Sequence, residues 1–347
     1  LIGEGQFLGL DGSPIPANIQ LTEMGLTKIE LKEKEGLSLI NGTQVSTALA
    51  IESLFGVKDL FYTVSAAGAF STEVMLGTDT AFRPEVQHAR NQTGQTYAGQ
   101  VLYHLMKDSG YRDAHKNCDR VQDFYSLRCM PQVHGSFFDL ICYAEEILVR
   151  EANSTTDNPV TLIDENLIVS GGNFHAAPIA HVMDYLAIAI ADISAMSERR
   201  IAAFQESDQS NLPMFLMEEA GLNSGFMIAH VTAAALASEN KSLANPASVD
   251  TIPTSANQED HVSMAPHAGY QLRQSILNAS NIIAIELLCA AQARDLNPKY
   301  QLAANSEDIY QRIRIDVPFL KQDGPLSSFI DYISGLISSG VISAIVH

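Results

Sequence analysis

Three segments constrain this chain more than any others. Ala177 to Arg199, Gly225 to Lys241 and Tyr270 to Arg294 each carry apolar residues around most of a helical circumference. The second contains Ala233-Ala234-Ala235 and the third contains Ile282-Ile283-Ala284-Ile285-Glu286-Leu287-Leu288. Such helices have no wet face to offer, so they belong in the centre of a large bundle or at a subunit interface. Further helices are expected over Thr43 to Phe55, over Arg83 to Met106 from near Pro84, and over Met130 to Glu151. Two shorter ones are expected near Asp308 to Val317 and Leu326 to Val341. The first forty residues read differently: they are rich in Gly and Pro, and Thr27 to Glu33 alternates as a short strand would. The fold class expected is therefore mostly α, a large bundle of long helices with a short extended lead-in. No linker, low-complexity tract or repeat divides the chain. A single domain over 1–347 is expected, with the lead-in at 1–40 and the helical body at 41–347.

The composition excludes several function classes. A net charge of −19 repels phosphate backbones and anionic lipid, so neither nucleic acid nor a membrane surface is an expected partner. The best candidate membrane span, Pro178 to Met196, contains His181, Asp184 and Asp192, and it reads instead as a buried helix of a soluble bundle. Cys118, Cys129, Cys142 and Cys289 have neither disulfide-framework nor zinc-like spacing; they read as reduced thiols in a cytoplasmic protein. Leu1 to Gly5 has no basic region and no apolar run, so no signal peptide is read there. The formal glycosylation sequons at Asn41 and Asn153 are accordingly expected to go unused.

Chemistry concentrates in polar stretches between the helices. Gln122, Tyr125 and Arg128 are three residues apart, which on a helix places an amide, a phenol and a guanidinium on one face. An arginine fork holds a carboxylate with two parallel hydrogen bonds, and a neighbouring tyrosine can carry a proton. The run reads as a grip for an amino or carboxylic acid. Ser170-Gly171-Gly172-Asn173-Phe174-His175 has two glycines suited to positive φ or close backbone approach, and a ring that could stack on a planar ligand. Ser255-Ala256-Asn257-Gln258-Glu259-Asp260-His261 is a polar stretch before a long apolar helix. Asp260 or Ser263 is expected to cap that helix, and Glu259, if buried, would have a raised pKa. Glu259, Asp260 and His261 are adjacent and cannot all face one ion, so no metal is expected. Asn41-Gly42-Thr43 stands where the lead-in becomes helical, and Asn41 is a candidate N-cap. No phosphate-binding loop, dinucleotide fingerprint, zinc-protease motif or nucleophile elbow occurs.

Taken in order, these pieces resemble the aromatic amino acid lyase family. The resemblance is carried by Lys34-Glu35-Gly36-Leu37 with Ile40-Asn41-Gly42-Thr43-Gln44, and by Gln122-Asp123, Tyr125-Ser126-Leu127-Arg128-Cys129 and Pro131-Gln132. It continues through Asp157-Asn158-Pro159, Gly171 to His175 and Asn257 to Met264, across nearly the whole chain. It implies an aspartase/fumarase-like helical superfold, a homotetramer with active sites shared between subunits, and a methylidene-imidazolone electrophile made from an internal Ala-Ser-Gly. No Ala-Ser-Gly occurs among the 347 residues. In the family the tripeptide lies shortly upstream of the Leu-Ile-Gly-Glu-Gly stretch found here at residues 1–5. The resemblance therefore implies that an amino-terminal portion, with a mobile-loop tyrosine, is missing here. It further implies that Arg128 holds the substrate carboxylate and Gln122 supports it. Asn41 would bond near the carboxylate or prosthetic group. Tyr125 would assist proton transfer, and Phe174 would pack against substrate and electrophile. Gln258 and Glu259 would lie near the imidazole or amine. An acidic residue at 259 suits an imidazole N–H, so the expected reaction is deamination of L-histidine to trans-urocanate and ammonia. A tyrosine or phenylalanine lyase or aminomutase is the nearest alternative, and a non-catalytic helical assembly protein the next. Phe124, Met130 and His134 depart from the pattern usual in histidine-specific members.

Overall fold

The computed structural model describes residues 1–114, 121–219 and 221–346, and they form two compact units. Cys118 lies outside the described residues.

The smaller unit comprises Leu1–Gln44 and Thr155–His175. It opens with a hairpin of β1 (Gln6–Leu8) and β2 (Pro14–Pro16), in which Phe7 pairs with Ile15. Two short helices follow, α1 (Ala17–Glu23) and α2 (Glu35–Ile40). A second antiparallel hairpin joins β3 (Val160–Leu162) to β4 (Leu167–Val169). The strand expected over Thr27–Glu33 is absent. That segment is extended but joins no sheet. Its alternation places Lys28, Glu30 and Lys32 on one side, and nearly all its side chains are exposed, so there is no buried face to fix a register.

The larger unit comprises Val45–Ser154 and Ala176–His347. It begins with α3 (Gln44–Val74), followed by α4 (Pro84–Arg90), α5 (Thr93–Leu105), α6 (Gly110–Ala114) and the single turn α7 (Tyr125–Arg128). Next come α8 (Met130–Ala152), α9 (Ala177–Gln205), α10 (Ser207–Ser210), α11 (Met227–Leu243) and α12 (Ala265–Leu296). Helices α13 (Ala304–Arg314), α14 (Ser327–Ser338) and α15 (Val341–Val346) close it. The mostly helical expectation holds, and several helices run well past their expected ends. One expected helix, Arg83 to Met106, is two: Asn91 caps α4 in the left-handed region at φ 57°, where asparagine is tolerated.

The core forms around α9 and α12, which pack on each other and on α8, α11 and α14. Both are long and apolar enough to cross a membrane, but their most apolar windows are 67% and 83% buried within the protein. They are the buried bundle helices their sequences indicate. Helices α5 and α8 meet at paired glycines. A Cβ at Gly135 would fall 2.3 Å from the Gln95 backbone, and one at Gly94 would fall 2.1 Å from the Gly135 carbonyl. Only glycine permits that crossing. The three departures from the family pattern lie in this unit's interior. Met130 and His134 are fully buried and Phe124 packs half-buried against the core.

Candidate active site

The larger unit carries a cleft of about 470 Å³ lined by Gln122, Tyr125, Arg128 and Gln132, with Thr78 and Asp123 at its back. Its shape comes from a broken helix. The expected helical face through Gln122, Tyr125 and Arg128 is not formed: only Tyr125–Arg128 is helical, and Gln122 precedes it in irregular backbone. Phe124 at the N-cap has φ −71° and ψ 161°. The Asp123 carboxylate accepts the Thr78 N–H at 2.8 Å, which ties the segment to the end of α3. Cys129 then separates this turn from α8, whose first turn holds Pro131. The three residues still reach one cleft, from an irregular segment and one helical turn.

Arg128 is the least committed charge in the cleft. Its guanidinium lies 4.9 Å from the Tyr125 ring centroid, in cation–π contact. Among the described residues it has no carboxylate partner, and its Nε is shut from solvent with no acceptor. The Gln132 Oε1 is likewise buried without a donor. Buried polar atoms are almost always satisfied in folded proteins. These two leave one unmet donor and one unmet acceptor at the wall of an open cleft. The Tyr125 side chain is 71% exposed at its mouth. The Arg128 guanidinium lines the cleft with no carboxylate partner among the described residues, and its fork suits a planar anion such as a carboxylate.

Gln258 and Glu259 are placed elsewhere on the same unit, outside the residues that line this cleft. Ser255, Ala256 and Asn257 turn the chain through three successive left-handed conformations, with φ of 50°, 54° and 65°. The turn is closed by the Thr254–Glu259 bridge, in which the Thr254 N–H donates to the Glu259 carbonyl at 3.0 Å. The Glu259 carboxylate accepts the Thr254 hydroxyl at 2.6 Å and the Ser255 hydroxyl at 2.9 Å. The expectation of a buried carboxyl with raised pKa is therefore corrected. Glu259 is exposed, and the two hydroxyl donors hold its carboxyl below the usual range. Gln258 is exposed beside it. The Ser263 hydroxyl, not Asp260, meets a free N–H at the start of α12, accepting from Ala265 at 3.4 Å.

In the smaller unit, the family-like stretches converge. Lys34 pairs with Asp157, which also accepts the Ser38 hydroxyl at 2.9 Å; the lysine holds the carboxyl below its ordinary pKa. Asn158 accepts the Gly171 N–H at 2.8 Å, and the Asn173 amide donates to the Thr155 carbonyl at 3.2 Å. Asn41 is not the N-cap of a following helix. It caps the C-terminus of α2, its N–H donating to the Leu37 carbonyl at 2.8 Å. Gly42, at φ 150°, is required because a Cβ there would lie 2.8 Å from the Thr156 carbonyl. Phe174 is 38% exposed. Gly171 and Gly172 do not use positive φ, and a side chain on either would meet open space.

A family model for aromatic amino acid lyases matches residues 1–315. The chain belongs to the aromatic amino acid lyase family. It is 48% identical over its whole length to a histidine ammonia-lyase of Idiomarina loihiensis, and spans 68% of that relative. The crystal structure of histidine ammonia-lyase from Trypanosoma cruzi superposes with a TM-score of 0.91 at 38% identity, covering 99% of this chain and 66% of that one. A tyrosine aminomutase from Streptomyces globisporus superposes with a TM-score of 0.93 at 32% identity, covering 99% and 69%. The chain thus spans about two thirds of the length of these relatives.

Sequence reasoning missed two of the residues that shape the cleft. Asp123 and Gln132 were legible only as family-like positions. Their roles arise from partners at Thr78 and from burial, which spacing does not reveal. Among the described residues no group of three His, Cys, Asp or Glu is disposed to hold a metal ion.

Proposed function

We propose that this chain forms the body of an ammonia-lyase that converts L-histidine to trans-urocanate and ammonia. The observation that carries the reading is Arg128: a half-buried guanidinium with no carboxylate partner among the described residues, lining an open cleft beside an exposed phenol. In the reaction a proton leaves the β-carbon, the Cα–N bond breaks with its electron pair going to nitrogen, and a C=C bond forms. The 48% identity of the whole of this chain to 68% of a histidine ammonia-lyase supports histidine as the substrate.

The family's electrophile is methylidene-imidazolone, and no Ala-Ser-Gly from which to make it lies within these 347 residues. The cleft fits a substrate activated by such a group, because it sets a cation with no carboxylate partner among the described residues beside an exposed phenol. When bound, the group supplies an electron sink for a weakly acidic substrate. Arg128 holds the substrate carboxylate, Gln122 supports that end, and Tyr125 orients the electrophile and moves a proton through its hydroxyl. Gln258 and Glu259 do not line this cleft, so in this reading they reach the substrate from a neighbouring subunit of a shared site, where Glu259, held ionised by Thr254 and Ser255, accepts an N–H from the imidazole or amine. Asn41 and Phe174 take the roles the family resemblance implies: a hydrogen bond near the carboxylate or prosthetic group, and packing against the ring.

We further propose a cytoplasmic homotetramer with shared active sites. Its support is apolar surface on the core helices: Tyr185 and Ile188 on α9, Ile228 and Val231 on α11, and Tyr270 and Leu277 on α12 are all exposed. Soluble, monodisperse monomers of residues 1–347 would contradict it.

The test is ultraviolet absorbance on adding L-histidine, L-tyrosine and L-phenylalanine separately to the full-length protein. Urocanate from histidine is expected. Product from tyrosine but not histidine overturns the substrate assignment, and no product from any of them favours a non-catalytic assembly role.

A further inference from the structure

The turn that carries Tyr125 and Arg128 is too short to hold its own geometry. It has four residues, and a single helical turn leaves its last carbonyls without intrahelical donors. One of those carbonyls, on Ser126, accepts a hydrogen bond from Nη1 of Arg200 at 3.1 Å. Arg200 is a residue of α9, and its side chain is wholly buried.

A buried guanidinium must be anchored, and this one is. Its Nε donates to Oε1 of Glu286 at 2.6 Å and its Nη2 to Oε2 at 2.9 Å, a fork on α12 that is also fully buried. Glu286 is fixed in turn by the Ser71 hydroxyl of α3 at 2.7 Å and the Ser197 hydroxyl of α9 at 2.5 Å. Three core helices therefore hold one guanidinium with no freedom to turn. Its remaining fork nitrogen points at the backbone between Tyr125 and Arg128. A buried ion pair is weak evidence for stability, since apolar replacements of similar volume often do as well. The arrangement explains itself better as a fixed pin that carries the rigidity of α9 and α12 to the cleft.

We propose that Arg200 is a positioning residue: fixed by Glu286, it sets the Tyr125–Arg128 turn so that Arg128 meets the substrate carboxylate. The proposal rests on the carboxylate role given to Arg128 above. It assigns no contact between Arg200 and substrate. Its signature is selective: loosening the turn weakens ligands that have a carboxylate and spares those that do not.

The experiment uses the full-length enzyme and calorimetric binding of two probes, 3-(imidazol-4-yl)propanoate and histamine, which lacks the carboxylate. Arg200→Lys keeps a cation beside Glu286 but cannot also reach the Ser126 carbonyl. The paired variant Arg200→Met/Glu286→Leu removes the pin without leaving a buried charge, so it remains testable if the lysine variant does not fold. In either folded variant the propanoate is expected to bind about tenfold more weakly, and histamine within about twofold of the unaltered enzyme. KM for L-histidine should rise more than kcat falls. Equal weakening of both probes would mean general loosening of the core and would overturn the proposal. Unchanged propanoate binding would overturn it too. Arg128→Met is run alongside to separate the two ideas. If it abolishes the preference for propanoate while the Arg200 variants do not, positioning alone fails. If it leaves the preference intact, the carboxylate role of Arg128 fails, and the proposal with it.

Discussion

Two glutamates of the larger unit, Glu286 and Glu259, show how differently one side chain can be used. Each accepts two hydroxyl hydrogen bonds: from Ser71 and Ser197 in the first case, from Thr254 and Ser255 in the second. Glu286 is fully buried and spends both oxygens on Arg200. Glu259 is exposed and has no cation on it among the described residues. The first is a structural fixture whose pairing is complete. The second is a carboxylate kept ionised and left available. Burial makes the difference: in the interior an ionised group must be fully matched, whereas at the surface it can wait for a ligand.

That contrast breaks most visibly at the buried pair. Glu286→Ala strands Arg200 in the core and should destabilise the protein by about 3–5 kcal/mol, measured as a shift in the urea midpoint. The paired Arg200→Met/Glu286→Leu change should recover most of that loss. If Glu286→Ala melts like the unaltered protein, the pair is not the fixture described.

Next in size is the free cation of the cleft. Arg128→Met removes the charged partner of a substrate acid and should raise KM for L-histidine about 10- to 100-fold, with little change in thermal midpoint. Steady-state kinetics checks this. A large drop in stability with unaltered KM would move Arg128 from the uncommitted class to the fixed one.

Burial beside the Arg200–Glu286 pair also gives His134 a pH dependence. His134, on α8, is fully buried, with its Nδ1 3.1 Å from the Ser65 hydroxyl of α3. Burial, and then the Arg200 charge, hold its pKa well below the ordinary imidazole value. The folded pKa is depressed, so the unfolded chain takes up the proton first. Stability is then present above about pH 6.5 and falls as pH drops below it, by roughly 1.4 kcal/mol per pH unit until the folded group titrates. Urea midpoints between pH 8 and 5 should show that slope in the unaltered protein and a shallower one in His134→Gln. Equal slopes would remove His134 as the source.

The same difference decides what could be read before the structure. Buried regions wrote themselves into the sequence. Helices α9 and α12 begin or end within a few residues of apolar runs because packing demands apolar side chains around most of their circumference, and α8 is marked by the apolar stripe of its one buried face. Exposed and irregular regions did not. Thr27–Glu33 alternates like a strand yet pairs with nothing, and the Gln122–Arg128 spacing suggested a helix that starts only at Tyr125. Arg200 and Glu286 were hidden for another reason. They lie 86 residues apart on helices that each look merely apolar, and no local pattern marks a pair that only the bundle brings together. Of the candidate site residues, Gln122, Tyr125 and Arg128 share one cleft, and their spacing in the chain hinted at that proximity. The cleft around Arg128 needed coordinates, as did the exposure of Glu259.

The smallest effect on the fold, and the sharpest test of the contrast, is expected at Glu259. Glu259→Gln removes a charge that faces water and keeps an acceptor for the Thr254 and Ser255 hydroxyls, so the thermal midpoint should barely move. Binding should not be so forgiving. If the carboxylate waits for an imidazole N–H, losing its charge should raise KM for L-histidine about tenfold, because hydrogen bonds to charged groups are the stronger ones. Any trace of activity toward L-phenylalanine, whose ring offers no such donor, should be unaffected or improved. Thermal melting together with kinetics on both amino acids separates the cases. A marked loss of stability would show that Glu259 braces its left-handed turn much as Glu286 braces the core. Unaltered kinetics with histidine would leave it an ordinary surface carboxylate.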